Sequence, residues 1–255
     1  MARWSAILLL FTALLARADE AADKLAAAGI VEFAAAYQAW DSQRFSAAAE
    51  LFRRATTNAP RSSTNFYWLG AAHFHRLIHL LGQKGSRTNT VPIDAALESA
   101  TDALTAALKL NERDAESHAL LGTVYGLSIA RSPPRALWLG PRLMKHQKRA
   151  LQYGAANPRV QYLLGMNHFH AGRMGRGKAE ALKCLLKAEK LYAEEASKPG
   201  GPTEPRWGHS TCLAYIGKTY DALGKPTEAE EYFLKTLQLN PQDQLARKEM
   251  ERRKR

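Results

Sequence analysis

The sequence lacks any stretch of alternating apolar and polar residues of the kind that predicts a β-strand. It is rich in alanine and other helix-favouring residues, and it has few runs of valine, isoleucine or threonine. An all-α protein is therefore predicted. With 255 residues, the chain is long enough to bury a sizeable core, either as one domain or as two.

Acidic residues are missing from the middle of the chain. Between Ser117 and Ala179 there is no Asp or Glu, whereas this segment contains ten Lys or Arg residues. The chain carries a net charge of +12 and ends in the basic run 252–255. A paired-carboxylate catalytic site is hard to place in such a sequence. The basic surface either attracts anionic partners or is a solvated face that keeps the protein soluble.

Catalytic motifs are also missing. No nucleophile can be combined with a base and an orienting acid in any recognisable pattern. Residues 172–178 match the letters of a phosphate-binding loop, but Ala179 stands where Ser or Thr would hold magnesium, and a predicted helix precedes the loop. We therefore predict a protein that is not an enzyme and has no cofactor or metal. Arg173, Arg176 and Lys178 either hold an anion there or only flank a glycine turn.

The N-terminus contains the longest apolar run of the sequence. A short basic start precedes the nearly unbroken run Ile7–Leu15, and residues 16–18 have the A-x-A pattern of a cleavage site before Asp19. The run is too short to span a bilayer comfortably. Residues 1–18 are therefore predicted to be a signal peptide, and the mature chain to be periplasmic or secreted. A retained anchor and a transit peptide are the alternatives.

Cysteine is scarce, with only Cys184 and Cys212 in the chain. In an oxidising compartment the two could form a disulfide. The alternative, which we favour, is that both are small buried apolar residues.

A two-helix repeat is indicated near the C-terminus, over residues 208–241. The positions that define it are small, aromatic or turn-forming residues: Gly217, Tyr220, Gly224, Ala229, Phe233 and Pro241. The small residues let two helices approach closely, the rings fill the space beside them, and Gly224 allows the backbone to reverse. This pattern resembles the tetratricopeptide repeat, a helix–turn–helix unit of 34 residues. It departs from the family at Leu213, where Trp is usual, and at Thr236, where Ala is usual.

Weaker copies of the pattern precede it. Glycines recur in the predicted first helices at positions 70, 122, 165 and 217, and the motif L-G-x-x-H-F-H occurs at both 69–75 and 164–170. The predicted units are residues 30–60, 63–112, 114–157, 158–197 and 208–241. Residues 246–255 are predicted to be a basic tail. The resemblance implies an α-α superhelix, or solenoid, of four to five helical hairpins within residues 19–245.

The third unit contains two predicted interruptions. Arg131–Pro134 and Trp138–Pro141 both contain helix-breaking proline, and the second also contains glycine. An extended loop is expected there, with the return helix beginning at Leu143.

The resemblance implies that the first helix of each pair lines a concave groove that binds a peptide or helix of a partner protein. The groove candidates are Tyr67, Phe74, His75, Arg159, Tyr162, Met166, Phe169, His170, Lys218 and Asp221. Aromatic side chains beside cations suit such a ligand, and the basic segment favours an acidic one. The alternative is that the aromatic side chains are core residues.

The predicted function is that of a non-catalytic scaffold for protein–protein interaction. The alternative is an accessory envelope protein that binds an anionic glycan or lipid through a basic face formed by Arg142, Lys145, Lys148 and Arg149. Nucleic acid is the least available anion for an exported protein.

The eight histidines suggest a metal site only weakly. His75 and His79 are four residues apart, a spacing that can hold zinc on a helix, but no Cys or carboxylate accompanies them at metal-site spacing. His73 and His168 take the place of the packing Tyr of the repeat, so both are predicted to be core residues.

Overall fold

The computed structural model describes residues 2–83, 90–171 and 176–254, and the side chains of residues 17–83, 90–171 and 177–254. Within these ranges there are eleven α-helices, one 3₁₀ turn at Pro133–Arg135, and no strand. The all-α prediction is confirmed. The helices are α1 Ala2–Ala39, α2 Ser42–Asn58, α3 Ser63–Gly82, α4 Val91–Leu110, α5 Ala115–Arg131, α6 Ala136–Gly154, α7 Pro158–Ala171, α8 Arg176–Ala196, α9 His209–Ala222, α10 Pro226–Leu239 and α11 Gln244–Arg253.

The chain forms two compact units. Unit 1 comprises residues Met1–Ala35 and Ser42–Glu112, and unit 2 comprises Ala36–Asp41 and Arg113–Arg255. In unit 1, α3 packs against both α2 and α4. In unit 2, α5 pairs with α6, α7 with α8, and α9 with α10. Each helix therefore packs against a neighbour in sequence, as predicted for a chain of helical hairpins.

An aromatic cluster fills the core of unit 1. The ring of Phe52 on α2 stacks on Trp68 of α3, with 5.6 Å between ring centroids and 12° between planes. Phe33 of α1 meets Trp68 edge-on at 5.1 Å. All three side chains are at most 2% exposed. Burial of this much aromatic surface ties α1, α2 and α3 together.

Glycine allows close helix contact in three of the pairs. A Cβ atom added to Gly70 would lie 2.6 Å from Cγ of Leu104, and one added to Gly165 would lie 2.6 Å from Cγ of Leu185. At Gly217 the added atom would lie 2.8 Å from the Phe233 ring and 3.1 Å from the Ala229 carbonyl oxygen. The packing role predicted for Gly217 is confirmed.

We expect Gly217→Ala to lower the free energy of unfolding by about 1–3 kcal/mol, because the new methyl group would overlap the buried Phe233 ring. Urea denaturation followed by circular dichroism measures the change. Gly122 of α5 is the matched control, since the nearest atom to an added Cβ there is Cβ of His146 at 3.6 Å, an ordinary van der Waals contact. Gly122→Ala should stabilise the protein by about 0.5–1 kcal/mol through helix propensity. Equal effects at the two positions would contradict the packing described.

The third predicted repeat, residues 114–157, differs from the prediction. Helix α5 ends at Arg131, but α6 begins at Ala136 and continues through Trp138–Pro141, so the second predicted interruption and the start at Leu143 are wrong. The reason is the position of Pro141, which lies in the second turn of α6. A proline in this position removes only one backbone hydrogen bond. It lies close to the start of the helix, where the first N–H groups have no partner within the helix, so the helix can continue through it.

The predicted basic tail is largely helix α11. Its first turn is capped by the Asp243 carboxylate, which accepts a hydrogen bond of 2.9 Å from the backbone N–H of Ala246. Ala246 is fully buried against Ala229 and Phe233 of α10. Residues 244–253 thus belong to the packed structure of unit 2.

The predicted signal peptide lies in α1. This helix runs without interruption from Ala2 to Ala39 and so includes the predicted cleavage site at residues 16–18. The side chains of residues 1–16 are outside the described residues, and the signal peptide remains a prediction. Among the helices that the structure describes, none is both long and apolar enough to cross a bilayer.

Candidate functional site

Six of the ten predicted groove residues are buried. They are between 1% and 4% exposed: Tyr67, Phe74, His75, Arg159, Tyr162 and Met166. Their side chains pack in the core of the protein and offer no surface to a partner. The alternative interpretation of the aromatic side chains, that they are core residues, therefore holds for these positions.

Residues distant in sequence cover these side chains. In unit 1 the His75 ring stacks on Phe45 of α2 at 5.6 Å and meets Phe33 of α1 edge-on at 5.3 Å. In unit 2 the Tyr162 ring meets Trp207, in the loop before α9, at 6.4 Å. Burial lowers the pKa of His75 to about 3, so this ring is neutral near pH 7.

Three of the remaining predictions, Phe169, His170 and Lys218, come together in unit 2 with Lys178 and Tyr215. We call these five residues the aromatic–lysine cluster. The Phe169 and Tyr215 rings are perpendicular, with centroids 5.7 Å apart. A ring nitrogen of His170 lies 3.2 Å from the Tyr215 hydroxyl. The cluster joins the end of α7, the start of α8 and the middle of α9.

Both lysines of the cluster approach the Phe169 ring. The Nζ atom of Lys178 lies 3.4 Å from the ring centroid, and that of Lys218 lies 5.3 Å from it. Lys218 also lies 5.4 Å from the centroid of Tyr215. These are cation–π contacts. Phe169 and Lys218 are partly exposed and His170 is exposed, so a ligand can reach the cluster from solvent.

Neither lysine of the cluster forms an ion pair with any carboxylate that the structure describes. Partial burial and the neighbouring Lys218 lower the pKa of Lys178. Burial, and to a smaller extent Lys248, also lower the pKa of Lys218, although the Glu249 carboxylate opposes this shift. An anionic group placed beside the two lysines would favour their charged forms, so the cluster is suited to a carboxylate.

Asp221, the tenth groove candidate, is bound within the protein. Its carboxylate accepts hydrogen bonds from Arg252 at 2.7 Å and from Arg253 at 2.5 Å, both on α11. The C-terminal helix therefore occupies this part of the predicted groove.

Arg159 has a structural role that its position in the sequence did not suggest. Its Nε donates to Glu116 at 2.7 Å, and its two terminal nitrogens donate to Glu195 at 2.9 and 2.5 Å. The Asn157 amide also donates to Glu116, at 2.8 Å. This buried network ties α5, α7 and α8 together at the base of an open cleft of about 740 Å³. We interpret this network as structural, because each of the three guanidinium nitrogens of Arg159 donates a hydrogen bond to a carboxylate.

The four cations predicted to form the basic face all lie on α6. Arg142, Lys145 and Lys148 are exposed and Arg149 is partly exposed, and none forms an ion pair with a described side chain. The side chains of Arg173 and Arg176, predicted to bind an anion with Lys178, are outside the described residues. Lys178 donates a hydrogen bond to the Phe169 carbonyl.

The comparison with known sequences identifies the last helical pair. Residues 210–243 match the tetratricopeptide repeat family. The chain therefore contains a tetratricopeptide repeat. The match covers α9 and α10, so Tyr215 and Lys218 of the cluster lie in the first helix of the matched repeat. No curated protein matches the chain.

The chain is also similar to solved structures, one of which shares its fold. TTC0263, a thermophilic tetratricopeptide repeat protein of Thermus thermophilus, has a TM-score of 0.63 at 16% identity over 89% of this chain and 95% of its own. YrrB, described as having an unusual peptide-binding site, has a TM-score of 0.42 at 16% identity over 82% and 84%. MamA has a TM-score of 0.41 at 16% identity over 77% and 88%. The first of these similarities supports the fold assignment and, at this identity, shows the fold alone.

One of the two core histidine predictions differs from the structure. His168 is exposed and His73 is only partly buried, so the predicted core role of His168 is wrong. The core histidines include His75 and His118 instead. A contact that sequence reasoning missed is the one between His118 on α5 and His146 on α6, whose Nδ1 atoms are 2.7 Å apart. One ring must donate and the other accept, so the pair is held in complementary tautomers.

Both cysteines are free thiols. Cys212 is fully buried and its Sγ lies 3.6 Å from the Leu185 carbonyl oxygen, whereas Cys184 is partly exposed. Burial raises the pKa of the Cys212 thiol, which keeps it protonated and unreactive.

Proposed function

We propose that this tetratricopeptide repeat protein is a non-catalytic interaction protein that binds an acidic peptide or helix of a partner at the aromatic–lysine cluster. The observation that carries the proposal is the approach of Lys178 and Lys218 to the partly exposed Phe169 ring, without a described carboxylate to pair with either. We also propose that the chain is exported, on its N-terminal sequence alone.

The cluster combines the two kinds of contact that such a ligand needs. An apolar or aromatic side chain of the ligand can pack on the Phe169 and Tyr215 rings, and a carboxylate can meet the two ammonium groups. The cations already lie against the rings, so little side-chain entropy is lost when the ligand binds. The rest of the protein provides rigid helices that hold the cluster in place.

Selection from a phage-displayed library of random 12-residue peptides on the full chain tests this proposal. We expect the enriched peptides to contain Asp or Glu beside an apolar or aromatic residue. Fluorescence anisotropy of a selected peptide then gives the affinity of each variant. Phe169→Ala should weaken binding by about 30-fold, as expected for a hot-spot ring. Lys218→Gln should weaken it by about fivefold or more, and less so at high salt.

The matched control is Lys235→Gln. On α10 of the same repeat, Lys235 makes a similar contact with the Tyr232 ring, with its Nζ 4.2 Å from the ring centroid. This substitution should leave peptide affinity unchanged. Enriched peptides without acidic residues, or an equal loss with Lys235→Gln, would contradict the proposed site.

A further inference from the structure

Helix α6 exposes a line of large apolar side chains. Leu137 is 84% exposed, Met144 is 63% exposed and Leu151 is 43% exposed. Because they are seven residues apart, close to two helical turns, they lie along one side of the helix over about 21 Å. We call these three residues the α6 apolar stripe. Trp138, which is 54% exposed, lies about 100° further round the helix, on the side of the basic residues.

Basic side chains adjoin this stripe on the same exposed side. Lys148 follows Met144 by one turn of the helix. At about 100° per residue, the Lys148 side chain points in a direction between that of the stripe and that of the Lys145 side chain. Arg142 and Arg149 lie further round the helix on the side of Trp138. There is no Asp or Glu in α6, nor anywhere from Ser117 to Ala179. The exposed side is therefore apolar along one edge, whereas the other edge is basic and includes Trp138.

The opposite side of α6 supplies the contacts with the fold. Leu139 is 9% exposed and Ala150 is fully buried, and α6 packs there against α5. The α6 apolar stripe is thus not needed to hold the helix in place. A protein that leaves a Leu, a Met and a Trp more than half exposed on one helix has an unused apolar surface there.

We propose that α6 docks on the surface of an anionic phospholipid bilayer. The helix lies parallel to the membrane, with the α6 apolar stripe in the acyl boundary and Lys145, Lys148 and Arg142 at the lipid phosphates. A helix with an apolar edge and a basic edge binds in this way, and Trp favours the interface. Each basic residue near an anionic membrane adds attraction that salt weakens.

The spacing favours a bilayer over a partner helix. A partner helix packs into a seam that needs apolar residues three or four positions on from Leu137 and from Met144. Those positions hold Gly140, Pro141, Gln147 and Lys148. A fluid acyl boundary requires no matching holes, so a single line of apolar side chains suffices. The proposal is independent of the aromatic–lysine cluster and does not require a peptide ligand.

Vesicle sedimentation with the full chain tests the proposal. We expect binding to vesicles of phosphatidylcholine with about 30% phosphatidylglycerol, much weaker binding to phosphatidylcholine alone, and loss of affinity as salt rises. Lys145→Glu with Lys148→Glu should weaken binding by about 30-fold or more at low salt. Leu137→Gln with Met144→Gln and Leu151→Gln should weaken it by about tenfold or more at every salt concentration.

Matched controls separate α6 from the rest of the surface, including the apolar N-terminus. Lys183→Glu with Lys187→Glu on α8, and Leu234→Gln with Leu239→Gln on α10, change exposed residues of the same kinds in unit 2. Both should bind vesicles within about twofold of the unchanged chain. If the α6 variants also bind like the unchanged chain, or if anionic vesicles are not bound, the proposal is overturned. Unchanged circular dichroism of each variant establishes that folding is retained.

A second measurement reports the depth of insertion. Brominated acyl chains quench tryptophan fluorescence only on close approach, and Trp138 is the tryptophan of α6. Quenching in anionic vesicles should fall clearly in Trp138→Phe, which keeps an apolar ring. Equal quenching in this variant would place another tryptophan in the membrane and overturn the role of α6.

Discussion

Substitution of Arg159 with Ala is expected to lower the free energy of unfolding by about 3–5 kcal/mol. The guanidinium group is bonded to both Glu116 and Glu195, whose side chains are only 8% and 16% exposed. Removal of the cation leaves two largely buried carboxylates without the guanidinium group that bonds to both. Their desolvation, together with the lost packing, makes this the largest single effect expected on stability.

Urea denaturation at pH 7 measures this loss, and Arg252→Ala is the control. Arg252 also pairs with carboxylates, Asp221 at 2.7 Å and Glu249 at 2.9 Å, but its side chain is 63% exposed. Its removal should cost far less than that of Arg159, because solvent screens an exposed ion pair. Adding Glu116→Gln and Glu195→Gln to Arg159→Met should recover part of the stability, since no buried charge then remains. Equal losses for Arg159→Ala and Arg252→Ala would contradict the buried network.

Acid should destabilise unit 1 through His75, at about 1.4 kcal/mol per pH unit. Burial among aromatic rings lowers the pKa of His75 from 6.5 to about 3 in the folded protein. Between these two pH values the unfolded chain binds a proton that the folded chain does not. Stability is therefore intact above about pH 6.5 and is lost progressively as the pH falls towards 3, by about 5 kcal/mol in total.

Guanidinium denaturation between pH 7 and pH 4 tests the role of His75. His75→Phe keeps an aromatic ring between Phe33 and Phe45 but cannot bind a proton. It should reduce the slope of stability against pH by about 1 kcal/mol per pH unit. His168→Phe, at an exposed position, should leave the slope as it is. A slope that is the same in all three proteins would show that His75 is not kept neutral by the fold.

The repeated motif shows how far sequence alone can predict this protein. The motif L-G-x-x-H-F-H at 69–75 and 164–170 correctly places a packing glycine in each copy, at Gly70 and Gly165. The same motif does not determine burial, because His75 is 2% exposed whereas His170 is exposed. The covering side chains come from elsewhere in the chain, as Phe33 does for His75, and no pattern within the motif encodes them.

The candidate site was predictable only in part, for the same reason. Phe169, His170 and Lys218 were predicted to lie on one groove face, but the sequence did not associate Tyr215 or Lys178 with them. A spacing of three residues between Tyr215 and Lys218 on α9 was the available signal. Arg159 was predicted to be a groove cation, and the sequence did not show its structural role. Its partners Glu116 and Glu195 are 43 and 36 residues away and pair with it only in the folded chain.

Photo-crosslinking tests most directly whether a partner segment binds at Phe169. A benzophenone side chain placed at position 169 should react with the selected acidic peptide under light, and excess unlabelled peptide should suppress the product. The same group at position 232 on α10, where Tyr232 is also in contact with a lysine, should give little product. Strong crosslinking at 232 with none at 169 would place the peptide elsewhere and contradict the proposed site.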